Sequence, residues 1–151
     1  MPEGALVVFT GHPLRTMLED RGSRSWVLDP TRANQHPYIV CTWNSRFHAA
    51  GAGLQTVASE QHGAAFVVGT ITKVEPSPYN PNRFIVGINQ YAIIDSQSVV
   101  WPGHQNPVWY VPDIRQLGIE PGTLTWIPIP DQGTNFDSDR HARLSRAIAA
   151  R

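Results

Sequence analysis

Lysine is all but missing from this sequence: Lys73 stands alone among 12 basic residues, and every other one is arginine. Arginine brings a planar fork and a stacking face that lysine lacks, although the same bias also arises from a GC-rich genome. Charge is scarce and cancels, with 12 basic residues against 12 acidic ones. Phosphate neutralisation needs a basic surface, so the balance speaks against a protein held to nucleic acid by charge alone. Cys41 is the single cysteine. No disulfide can form within the chain, which suits a reducing cytoplasm, and an isolated thiol in an apolar run reads first as a buried strand residue. No apolar run approaches the roughly 20 residues of a membrane helix. The opening Met-Pro-Glu-Gly lacks the basic start and apolar stretch of a secretory signal. A cytoplasmic protein without membrane contact is expected.

Complete catalytic and metal-binding motifs are also lacking. The histidines at 12, 36, 48, 62, 104 and 141 fall in no zinc spacing, and one cysteine does not complete a usual structural site. There is no nucleophile elbow, phosphate-binding loop or dinucleotide fingerprint. No metal and no cofactor are expected.

What is present is a β-rich pattern. The 13 prolines and 12 glycines lie between apolar runs and read as turns. The expectation is an α+β fold: one domain over 1–136 built on a small mixed or antiparallel β-barrel with a few short peripheral helices, then a helix or tail over 137–151. Ala5 to Thr10 reads as a buried strand. Pro13 opens a helix carrying Leu14, Met17 and Leu18, which Gly22 stops. Trp26 to Leu28 reads as a strand ended by Asp29-Pro30, and Tyr38 to Trp43 as a core strand. Residues 45–63 read as a loop. Ala64 to Val74 and Arg83 to Ile94, around a proline-rich turn, predict a central antiparallel hairpin. Pro107 to Val111 is extended and leads to a brief helix closed by Gly118. Leu124 to Ile129 is the last strand, and Asp137 caps a terminal helix bearing Arg140, Arg143 and Arg146.

Two sets of side chains invite a chemical reading. Lys73 and Glu75, next to Thr72, share a strand face, where an amine beside a carboxylate does either acid–base work or simple ion pairing. The other set is aromatic. There are five tryptophans, and Trp26, Trp43, Trp101 and Trp109 fall near proposed strand ends or loops, where ligand contacts concentrate. Such rings stack on bases or anchor cores and interfaces.

Taken in order, the segments resemble a known family. Leu6 to Pro13 is similar to the opening strand and turn of EVE domains, members of the PUA-like superfamily with YTH and ASCH domains. Trp26 with Thr31-Arg32-Ala33-Asn34 resembles the Trp and Arg-Asn segment after their first helix. Ala65 to Val74 looks like their central strand, and Arg83 to Val86 like the second strand of the hairpin. Asn106-Pro107-Val108, Ile114 to Leu117 and Leu124-Thr125-Trp126 resemble their closing segment. The resemblance implies a pocket between strand ends that recognises a modified or flipped base in DNA or RNA. Its wall would come from Thr10, Gly11 and His12, its stacking rings from Trp26 and Trp43, and its hydrogen bonds from Arg32, Asn34 and Asn44. Asn34 and Asn44 could equally stabilise turns, and Arg32 could pair with Asp29.

Two alternatives stand beside a base-binding module. Val99 to Tyr110 gathers aromatics on what reads as a loop, so Trp101, Trp109 and Tyr110 could meet a protein partner. Some ASCH proteins resemble amidohydrolases using threonine, lysine and glutamate, the residue types of Thr72, Lys73 and Glu75.

Overall fold

A computed structural model describes residues 2–46, 61–94 and 98–129. The expected terminal helix, with Asp137 and its three arginines, lies outside the described residues, as does most of the expected 45–63 loop. The described chain forms one curled sheet, a half-barrel, with two short α-helices. In chain order its strands are β1 (Ala5–Thr10), β2 (Gly22–Trp26), β3 (Tyr38–Trp43), β4 (Ala65–Pro76), β5 (Phe84–Ile93), β6 (Val108–Val111) and β7 (Ile127–Pro128), and they lie side by side as β2-β5-β4-β3-β1-β6, with β7 pairing with β5. This is the expected α+β, barrel-like class.

The first strand, β1 (Ala5–Thr10), is apolar through Phe9 and buried on both faces. Leu6 and Val8 join one core while Ala5 and Val7 join the other. It pairs in parallel with β3 (Tyr38–Trp43). A parallel pair requires a crossover, supplied here by α1 (Leu14–Asp20), β2 (Gly22–Trp26) and α2 (Pro30–Asn34).

Two details of the crossover differ from expectation. The left-handed residue that ends α1 is Arg21, at φ 57°, not Gly22. Gly22 lacks a side chain for a different reason, since a Cβ there would lie 2.5 Å from the Val86 carbonyl oxygen on the neighbouring strand. The strand then ends at Trp26, and Val27 is exposed. Asp29 and Pro30 do not merely end it. Asp29 accepts from the N–H groups of Thr31 and Arg32 and Pro30 takes the first helical position, so together they start α2.

The expected hairpin is present and central. β4 (Ala65–Pro76) and β5 (Phe84–Ile93) pair antiparallel, with β3 and β2 on their outer sides. The proline-rich turn is closed by the Ser77 N–H on the Arg83 carbonyl at 2.8 Å. The simple alternation expected along β5 is broken by register shifts, and Ile85 is buried beside Val86. β6 (Val108–Val111) pairs antiparallel with β1, and the short 3₁₀ turn Ile114–Leu117 ends at Gly118, whose φ of 77° suits glycine. The strand expected over 124–129 shrinks to β7 (Ile127–Pro128) on β5, because a 3₁₀ turn at Pro121–Thr123 and the lack of an N–H at Pro128 limit pairing.

Each sheet face carries a core. One packs Leu14 and Met17 of α1 against Trp26, Trp43, Phe66, Val86 and Ile88. The other packs Val7, Val40 and Val68 beneath Trp101, Ile114 and Ile119. Among the described residues no helix is long and apolar enough to cross a membrane.

Candidate functional site

Where β1 ends and α1 begins, backbone geometry collects polar groups. The His12 N–H donates to Thr10 Oγ1 at 3.0 Å, and the Asn44 N–H donates to the Thr10 carbonyl at 2.9 Å. These contacts fix the rim of a recess lined by Thr10, His12, Asp20, Ser23, Arg24 and Cys41, with Met17 and Phe66 as apolar walls. Its enclosed part is about 10 Å³, and the space out to its open mouth is about 220 Å³. The enclosed part holds about one water molecule. An edge or a small substituent of a ligand fits; a whole ring stays at the mouth.

The polar lining is built by an irregularity in β2. Ser23 pairs with Val86 and Trp26 with Phe84, so one residue is extra, and Ser25 adopts φ 74°. A bulge of this kind re-aims a side chain, and a left-handed non-glycine residue is a strain that surrounding contacts must hold. The side chain redirected here is Arg24. Its Nε lies 3.0 Å from Asp20 Oδ2, with side-chain exposures of 11% and 5%. The contact is a close charge pairing without a linear hydrogen bond at those atoms. The guanidinium also lies 4.0 Å over the ring of Tyr79, and the Tyr79 hydroxyl donates to Asp20 Oδ1 at 2.7 Å. A buried ion pair is costly to desolvate and keeps its place only with further partners. Tyr79 supplies them from the proline-rich turn.

Cys41 faces the same recess and is fully buried. Burial pushes its thiol up to about 12, and a hydrogen bond with Ser23 opposes that only in part. The bland reading of this cysteine, a buried strand thiol, describes it. Among the described residues no group of three or more His, Cys, Asp or Glu side chains is placed to hold a metal ion.

Of the residues singled out by sequence, Thr10 and His12 line the recess, and Gly11 is buried between them. Trp26 and Trp43 are core residues and do not line it. Trp26 touches its wall indirectly, donating from Nε1 to Ser23 Oγ at 2.8 Å, and Trp43 meets Phe66 edge-on. Arg32 and Asn34 are exposed on α2; Arg32 does not form an ion pair with Asp29 but covers the Tyr110 ring at 4.0 Å. Asn44 makes a turn, accepting from the Arg46 N–H at 3.1 Å. Lys73 and Glu75 form an exposed ion pair at 3.5 Å, and with Thr72 they lie away from the recess lining. Trp101 is not displayed on a loop: it is 7% exposed and stacks on Phe9 at 5.1 Å. Trp109 and Tyr110 are half-buried strand residues of β6.

Asp20, Ser23, Arg24 and Tyr79 escaped the sequence reading. One signal was present. Asp20 ends α1, where the helix dipole disfavours a negative charge, and such a local violation marks strained or functional sites. Comparison with protein-family models, curated proteins and solved structures finds no match to this chain.

Proposed function

We propose that this protein is a binding module that takes a nucleobase, modified or flipped out of its strand, edge-on at the recess between β1, α1 and β2. Membership of the PUA-like superfamily belongs to the same reading. The observation that carries it is the close pairing of buried Asp20 with largely buried Arg24, backed by half-buried Tyr79, beside an open recess. Burying such groups costs stability that an apolar filling would not, and fixed polar groups in a mostly apolar pocket are what orient a small ligand. The enclosed volume, about one water, suits a base edge or exocyclic group more than an engulfed ring. The absence of net charge assigns affinity to base contacts over phosphate neutralisation.

Titration of the intact protein with single-stranded oligonucleotides, each carrying one altered base, tests this. Tryptophan fluorescence is a suitable readout, since Trp26 is bonded to the recess wall at Ser23. The expected result is weak binding overall, a marked preference among bases, and a shallow dependence on salt. Binding of all oligonucleotides alike with a steep salt slope, or of none, would refute it.

A further inference from the structure

The recess contains one cation held in place with its working end left over. Arg24 Nε faces Asp20 at 3.0 Å, and the guanidinium plane rests on Tyr79 at 4.0 Å. The terminal nitrogens, Nη1 and Nη2, have no protein hydrogen bond among the described residues, although the side chain is only 11% exposed and lines the recess. Arginine lacks acceptors and presents its terminal N–H groups as a rigid fork. Such a fork, immobilised before binding, loses little entropy on engaging a ligand.

We infer that Arg24 is the ligand-reading group of this recess, and that the base it takes presents two adjacent hydrogen-bond acceptors. This rests on the base-binding reading above. The chemistry then sorts the bases. Guanine offers O6 beside N7, and cytosine offers O2 beside N3. Adenine sets a donor amine beside each ring acceptor on its Watson–Crick and Hoogsteen edges, and uracil or thymine puts an N–H between its two carbonyls. A fork of donors meets a donor in both of these and leaves polar groups unpaired, the arrangement that discriminates most strongly. The ligand is therefore a cytosine-type or guanine-type base. Asp20 and Tyr79 act through Arg24 by holding its plane.

The shared chemistry of a paired-acceptor edge also occurs in phosphate and carboxylate, so the probes must separate these sources. Cytidine, guanosine, adenosine and uridine, all without phosphate, are titrated into the intact protein by calorimetry or by NMR, with inorganic phosphate and acetate as parallel probes. Cytidine or guanosine should bind about tenfold or more tightly than adenosine and uridine. Replacing the acceptor in the ligand, with 3-deazacytidine or 7-deazaguanosine, should erase that advantage whatever the protein tolerates. Arg24→Lys, which keeps the charge but loses the fork, should do the same, with circular dichroism and melting showing a folded chain. Equal or better binding of adenosine or uridine overturns the Arg24 inference while the base-binding reading stands. Phosphate or acetate binding that Arg24→Lys abolishes, without discrimination among nucleosides, overturns it in favour of an anion site. Failure of every nucleoside to bind, in a protein that also binds no altered oligonucleotide, removes the base-binding reading itself.

Discussion

Cys41 lies on the recess wall, between the Met17 thioether at 3.9 Å and the Ser23 hydroxyl. Its thiol is pushed from an ordinary 9.0 up to about 12 by burial. The thiolate is the reactive form, so at neutral pH this cysteine is chemically quiet in spite of its position. A folded value above the unfolded one leaves stability intact below about pH 9, and stability is lost as pH rises toward 12 because the unfolded chain ionises first. A thiol reagent at pH 7 should therefore label native protein only as fast as the chain opens, and label it fully in denaturant. Rapid labelling of folded protein would mean that the recess admits a bulky reagent. The tryptophans show the same gap between position and environment. Sequence position near a strand end made Trp26 and Trp43 stacking candidates, yet their rings are 6% and 2% exposed, and only the Nε1 group of Trp26 connects with the recess, through Ser23.

The recess depends on β2, a strand of 5 residues that contains both a close approach and a bulge. Gly22 is the critical point. Adding a Cβ would place it 2.5 Å from the Val86 carbonyl oxygen and 3.1 Å from Gly87 Cα, both backbone atoms that cannot turn aside. Gly22→Ala should cost about 1–3 kcal/mol in urea unfolding. Gly87→Ala, whose Cβ would meet its nearest atoms at 3.3 Å and 3.4 Å, should cost less; a reversed order would mean that β2 shifts easily against β5. Element by element, the legible parts were those with strong local pattern: β1, β3, the β4–β5 hairpin, and the turn closed by Gly118. Their signals are hydrophobic runs bounded by breakers, which depend little on distant contacts. The α2 helix was written in Asp29-Pro30 and could have been read from capping chemistry. The site was less legible for a different reason. Tyr79 and Asp20 are 59 positions apart, and Arg24 reaches them only because a register shift in β2 turns it there. Alternation along a strand carries no trace of such a shift.

At the scale of the molecule, the second core is tied to the start of the chain by a charged hub. Arg115 meets Glu3 at 3.0 Å, Asp113 at 3.2 Å and Glu120 at 2.8 Å, joining the residues before β1 to both 3₁₀ turns. Backbone and apolar contacts reinforce the join: the Ile114 N–H donates to the Glu3 carbonyl at 2.8 Å, the Tyr38 hydroxyl donates to Glu3 Oε2 at 2.9 Å, and Tyr38 stacks on Trp126 at 5.8 Å. Asp113 is held below its ordinary 3.8 chiefly by the Arg115 backbone N–H, with the guanidinium adding to it. Glu120 is held below 4.5 chiefly by the Arg115 side chain. Depressed folded values contribute stability that is present above these ordinary values and is lost as pH falls through the lower folded ones. The groups are exposed, so the contribution is small and salt-screened. Carboxyl titration by NMR should find both residues below their ordinary values. In Arg115→Ala, Glu120 should rise most of the way back. Asp113 should rise less, because the backbone N–H at position 115 survives the substitution. Melting between pH 5 and pH 3 should then fall less steeply in the variant than in the parent. Equal slopes would mean that the hub follows the fold of the closing segment without helping to hold it, leaving that work to Ile114, Ile119 and the Tyr38–Trp126 stack.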